Sequence, residues 1–128
     1  MNSLRRILHV EDVPSIQVIT RIALEKLGGF EVRTCSSAQQ ALDEAADFAP
    51  DLILLDVMLP QMDGVELLHA LGERLDLTQV PVVFLTGQTQ LDNLEQLQEQ
   101  GLRAVIKKPF DPLQLARQLR DIWDAAHG

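Results

Sequence analysis

Polar side chains follow four short apolar runs in this sequence. Glu11 and Asp12 follow residues 7–10, Asp56 follows 52–55, Thr86 follows 82–85, and Lys107 and Lys108 follow 104–106. Carboxylates suit a hard divalent cation, and a hydroxyl with an ammonium suits phosphoryl oxygens. A carboxylate can also attack phosphorus and form an acyl phosphate. Taken singly, each group is ordinary. Acidic residues after a strand commonly cap a helix, a threonine there commonly caps a turn, and paired lysines are commonly solvated. Their meaning depends on whether the fold gathers them.

The elements between them say that it does. Runs rich in β-branched residues or leucine at 7–10, 32–34, 52–55, 82–85 and 104–106 read as strands. Longer stretches with helical spacing lie between: Ile16, Ile19, Ala23 and Leu27; Val65, Leu68, Leu71 and Leu75; Leu115, Leu119, Ile122 and Ala126. Pro14 and Pro112 suit first helical turns, Ser36 or Ser37 can cap the second helix, and Gly28 and Gly101 suit helix ends. The nearly continuous apolar runs 52–55 and 82–85 predict strands buried on both faces, hence a parallel sheet covered by helices. The expectation is a three-layer α/β sandwich of five strand-helix units.

In an open sheet of this kind, ligands bind beyond the carboxyl ends of the strands, where strand order reverses. Glu11, Asp12 and Asp56 would meet there, and carboxylates about 4 Å apart repel by roughly 4 kcal/mol at an effective dielectric of 20. A hard cation relieves that repulsion; Mg²⁺ keeping several waters fits oxygen ligands, and Lys108 adds a positive charge.

Composition narrows the function. The 128 residues suffice for one domain with its own core. Eleven Lys and Arg against nineteen Asp and Glu give a formal charge of -8, which repels a nucleic-acid backbone. The single cysteine, Cys35, cannot form an internal disulfide, and neither a signal peptide nor a run of membrane-spanning length is seen. The expectation is a cytoplasmic chain without membrane or direct nucleic-acid partners and without an output domain.

His9-Val10-Glu11-Asp12, Leu54-Leu55-Asp56-Val57-Met58-Leu59-Pro60-Gln61-Met62-Asp63-Gly64, Leu85-Thr86-Gly87 and Lys108-Pro109-Phe110 resemble, in order and spacing, the signature segments of response-regulator receiver domains of two-component signalling, the CheY-like family. The resemblance covers essentially the whole chain, and the segment around Asp56 is its most specific piece. It implies a flavodoxin-like fold with strand order 2-1-3-4-5 and five helices, one receiver domain over residues 1–128, and a switch rather than an enzyme. Asp56 would be the phosphoacceptor. Asp12, Asp56 and the Met58 backbone carbonyl would hold Mg²⁺, Glu11 through water, while Thr86 and Lys108 would hold phosphoryl oxygens. A cis Lys108-Pro109 bond would aim the lysine. The partners implied are a sensor histidine kinase or phosphotransfer protein and a downstream effector protein. The expected lack of an output domain and the charge of -8 favour action through a partner protein rather than DNA, with the surface of the fourth and fifth helices as the expected contact.

Two positions depart from the pattern. Val105 stands where the family usually carries an aromatic residue, so the route of switching is expected to run through Thr86, Gly87 and Gln88 into residues 91–97. Glu11 has a longer arm than the aspartate common there. Met58 and Gln88 resemble the family's positions that tune hydrolysis of the acyl phosphate; Met58 cannot orient water, whereas Gln88 could. An aspartyl-nucleophile phosphohydrolase fits less well, because Met58 stands where its acid-base group belongs. A flavin module would meet repulsion from Glu11 and Asp12. A phosphorylation-independent scaffold is the third alternative.

Overall fold

The computed structural model describes residues 3–59, 62–87 and 94–127. Its elements alternate as expected: β1 (Arg6–Val10), α1 (Pro14–Ile22), β2 (Glu31–Cys35), α2 (Ala38–Phe48), β3 (Leu52–Asp56), α3 (Gly64–Gly72), β4 (Val82–Thr86), α4 (Leu94–Glu99), β5 (Leu102–Lys107) and α5 (Leu115–His127). The five strands form one parallel sheet in the order β2-β1-β3-β4-β5. The order reverses between β1 and β3. Their carboxyl ends therefore flank the crevice where such sheets bind ligands.

Each strand side contributes to a separate apolar layer, because successive side chains alternate faces. Leu8, Val10, Ile53, Leu55 and Phe84 pack with α2, α3 and Leu97 of α4. Ile7, Val32, Leu52, Leu54 and Leu85 pack with Leu115, Leu119 and Trp123 of α5 and with Ala23 and Leu24. β3 and β4 are buried at every residue, as their unbroken apolar runs predict.

The local signals work where their geometry is simple. Pro14 opens α1, the Ser37 side chain accepts from Gln40 N at the start of α2, and Asp63 does the same for Glu66 N in α3. Gly101 takes φ 123 before β5, and Gly29, not Gly28, takes φ 72 after the first helix. Pro112 lies in the turn ahead of α5 rather than in the helix.

The first helical stripe needs correction. Thr20, Ala23 and Leu24 are buried, whereas Ile19 and Leu27 are 47% and 56% exposed. α1 runs into a π-helical segment, Ala23–Leu27, whose wider turn rotates Leu27 off the sheet. A strict 3.6-residue period cannot follow that turn. In α3, Val65 is likewise exposed, and Leu67, Leu68 and Leu71 carry the contact.

Candidate functional site

The carboxyl edge is polar because each apolar run ends on a polar residue just where its strand ends. Asp56 is the last residue of β3 and Thr86 the last of β4, both buried, and Glu11 directly follows β1 and is fully enclosed. A carboxylate oxygen from each of Glu11, Asp12 and Asp56 lies within 4.8 Å of the others. Lys108 reaches into the cluster from beyond β5. Its Nζ donates to Asp56 Oδ2 at 2.9 Å and to Glu11 Oε1 at 3.2 Å. The Lys108-Pro109 bond is cis, and Lys108 N donates to Thr86 O at 2.8 Å, which ties the lysine to the end of β4.

The remaining carboxylate oxygens are also held. Met58 N donates to Asp56 Oδ1 at 2.9 Å, and Val13 N donates to Glu11 Oε2 at 3.3 Å. Glu11 N donates to Cys35 O at 2.9 Å, and the Gln17 side chain donates to Glu11 O. After Asp56 the chain folds back so closely that Gly64 N donates to Val57 O at 2.8 Å. A Cβ on Gly64 would meet Val57 Cα at 2.8 Å, so the glycine at this offset is a steric requirement of the loop.

Electrostatics reflect the crowding. Burial, with Asp56 nearby, pushes the Glu11 carboxyl up to about 7 against the pull of Lys108. Burial alone would lower the Lys108 ammonium, but its bonds to Asp56 and Glu11 outweigh that and raise it. His9, enclosed two residues before Glu11, is lowered to about 4 by burial and then by Lys108, with Asp56 opposing. The site thus holds clustered carboxylates, one ammonium threaded among them and a neutral imidazole beneath. Oxygen donors this close suit a hard divalent cation. Cys35 takes no part: burial and then Glu44 push its thiol up to about 12, far from thiolate chemistry.

The structure brings together Glu11, Asp12, Asp56 and Lys108, with Thr86 beside them at the end of β4. Met58 is near through its backbone N-H, while its side chain is 64% exposed. Pro60, Gln61, Gln88 and residues 91–93, on which part of the tuning and switching expectation falls, lie outside the described residues. Val105 sits opposite Phe84 in the β4–β5 ladder and is 36% exposed. Sequence reasoning assigned no role to His9, although an imidazole inside an apolar run was a visible signal. It also missed a groove of about 350 Å³ beside the site, lined by Ile16, Ile19, Lys108, Pro109, Phe110 and Pro112. That groove joins residues from α1 and the β5–α5 connection, which no single segment reveals.

Known proteins resemble this chain in sequence and in fold. The family profile of the response regulator receiver domain matches residues 7–120. The chain is 39% identical over 119 residues to the phosphate regulon transcriptional regulatory protein PhoB of Pseudomonas aeruginosa, covering 92% of this chain and 51% of that protein. It is 34% identical over 116 residues to the response regulator Rre1 of Synechocystis, covering 91% and 50%. The chain thus spans about half the length of the curated relatives it matches. Among solved structures, a CheY-like response regulator receiver domain protein from Methanospirillum hungatei superposes with a TM-score of 0.85 at 30% identity, covering 98% of both chains. The chemotaxis response regulator CheY4 of Vibrio cholerae gives a TM-score of 0.83 at 28% identity, covering 94% of this chain and 99% of that one. With its strand order and its polar carboxyl edge, this chain belongs to the response regulator receiver domain family of two-component signalling.

Proposed function

We propose that Asp56 takes a phosphoryl group in a Mg²⁺-dependent transfer and that the acyl phosphate changes which partner protein the chain binds. The observation that carries this reading is the Lys108 ammonium, 2.9 Å from Asp56 Oδ2 and 3.2 Å from Glu11 Oε1 inside a three-carboxylate cluster at the sheet's carboxyl edge. An ammonium balanced between two carboxylates is placed to meet phosphoryl oxygens as they arrive.

In the transfer, a carboxylate oxygen of Asp56 bonds to phosphorus as the bond from phosphorus to the donor's nitrogen or oxygen breaks, leaving a mixed anhydride. Such a reaction needs in-line positioning and neutralised oxygen charge, with little acid-base machinery. The Met58 N-H fixes the Asp56 carboxylate, Lys108 moves to a phosphoryl oxygen, and the Thr86 hydroxyl donates to another. Mg²⁺, held by Asp12, Asp56, the Met58 backbone carbonyl and, through water, Glu11, would supply further charge neutralisation.

A sensor histidine kinase or phosphotransfer protein is the proposed donor, approaching over the apolar groove of Ile16, Ile19, Pro109 and Phe110, which shares Lys108 with the acceptor site. The effector is a protein bound near α4 and α5, where Leu94 and Val105 are exposed. The net charge of -8 supports a protein over a nucleic acid. We read residues 1–128 as one receiver domain, a cytoplasmic switch rather than an enzyme.

Intact-mass analysis after incubation with Mg²⁺ and a small acyl-phosphate donor tests the reading. One phosphoryl adduct is expected on the wild type and none on Asp56→Asn or in excess chelator. Full binding of an effector without any adduct would favour a phosphorylation-independent scaffold.

A further inference from the structure

Among the described residues, four of the five buried polar side-chain atoms without a hydrogen-bond partner belong to three residues: His9 Nδ1 and Nε2, Thr20 Oγ1 and Thr34 Oγ1. His9 and Thr34 are direct neighbours in the β1–β2 ladder. Ile7 and Val32, two residues before them, belong to the apolar layer that faces α5, so alternation turns His9 and Thr34 to that same side. Thr20 is the one buried residue of α1 and is fully enclosed. α1 continues into the segment whose Ala23 and Leu24 join the same layer. His9 and Thr34 thus occupy the side of the β1–β2 pair that faces this layer, and Thr20 is the side chain that α1, which packs on β2, buries.

A buried hydroxyl or imidazole left without a partner loses its hydration and gains nothing in return. Three in one corner make a pattern that an apolar filling would have avoided. The donor and acceptor inventory says what would satisfy them. A neutral imidazole offers one donor and one acceptor, and each hydroxyl offers one donor and two lone pairs. The complementary ligand must both donate and accept. It must also be uncharged: none of the three residues is a carboxylate to balance a cation, and an anion would sit beneath Glu11, two residues on from His9, and near Asp56. Water meets these conditions and commonly makes about three hydrogen bonds in such sites.

We propose that His9, Thr20 and Thr34 form a buried binding site for ordered water between α1 and the sheet. A groove of about 420 Å³ beside α1 has Thr34 in its wall with Gln17, Arg21 and Ser36, so one member of the proposed site borders solvent. α1 rests in this corner on hydrated polar groups instead of close-packed apolar ones. The inference stands apart from the phosphoryl chemistry, since none of the three residues is needed as acceptor or metal ligand.

A double-mutant cycle on the full chain, read by urea unfolding, tests the site together with NMR cross-relaxation from water to the His9 ring protons. Thr20→Val and Thr34→Val are each expected to raise the unfolding constant about tenfold. The double variant should fall short of their product by about tenfold, a coupling of about 1.4 kcal/mol, because both hydroxyls serve one water. Cross-peaks from a long-lived water to His9 should be present in the wild type and lost in the double variant. Additive effects with unfolding constants unchanged or lowered, and no such cross-peaks, would overturn the proposal. Coupling without a bound water would overturn it too, since the hydroxyls would then bond to each other or to His9. If a valine variant does not fold, the cross-peaks in the wild type and in Thr20→Ser decide the matter.

Discussion

Replacing His9 by valine should expose a pH dependence that the wild type conceals. The imidazole is fully enclosed, and burial lowers it to about 4 from an ordinary value of 6.5. Between those values the unfolded chain binds a proton at His9 that the folded chain does not, so stability rises with pH. The full interval corresponds to about 3 kcal/mol, present above pH 6.5 and lost as pH falls through about 4. Glu11 works in the opposite sense. Its carboxyl is pushed up to about 7 from 4.5, so the folded chain holds the extra proton. That contribution is fully present below pH 4.5 and is lost as pH rises through about 7. From pH 4.5 to 6.5 the two slopes oppose one another, and the wild-type curve should be nearly flat in this respect.

In His9→Val only the Glu11 slope remains, and stability should fall with rising pH by about 1.4 kcal/mol per unit within that window. Urea unfolding of both proteins over a pH series, at fixed ionic strength and with chelator present, measures this directly. Subtracting the curves removes every other titrating group and the constant packing cost of the substitution. A difference that changes by about 3 kcal/mol between pH 7 and pH 4 is expected. Parallel curves would refute the reasoning, because His9 would then titrate alike in the folded and unfolded chain.

Three further outcomes follow from the geometry. Lys108→Met removes the ammonium shared by Asp56 and Glu11 and should slow adduct formation from an acyl-phosphate donor about 100-fold while the fold persists, as stopped-time mass spectrometry and circular dichroism can show. Gly64→Ala places a methyl 2.8 Å from Val57 Cα and 3.0 Å from Leu55 Cδ1, and should cost about 1–3 kcal/mol in thermal or urea unfolding. Beryllofluoride with Mg²⁺ should shift the amides of Thr86, Gly87 and α4 in NMR spectra while the Val105 methyls keep one rotamer; a Val105 rotamer change with those amides unmoved would contradict the expected route.

The strands were legible because their apolar runs are short, β-branched and ended by polar residues. Residues 52–55 and 82–85 gave β3 and β4 to within one position, and each run's polar successor marked the carboxyl edge. Ser37 and Pro14 were legible because capping is local chemistry. The outward turn of Leu27 was not, since a π-helical segment breaks the period from which the stripe was drawn, and in the regular turn before it α1 buries Thr20 in place of Ile19. Lys108 was expected to hold phosphoryl oxygens, but its present hold on Asp56 and Glu11 joins residues 52 and 97 positions apart and depends on the fold. The buried polar corner of His9, Thr20 and Thr34 escaped for the same reason: each is unremarkable alone, and only the β1–β2 register and the rotation of α1 bring them together.

The central claim concerns one carboxylate, and the covalent position of the phosphoryl group tests it most directly. Borohydride reduces an acyl phosphate to the primary alcohol, so a phosphorylated aspartate becomes homoserine. After incubation with Mg²⁺ and an acyl-phosphate donor, reduction and peptide mass spectrometry should place homoserine at position 56 and at no other aspartate. Homoserine at position 12 instead, or an adduct that resists reduction, would contradict the account.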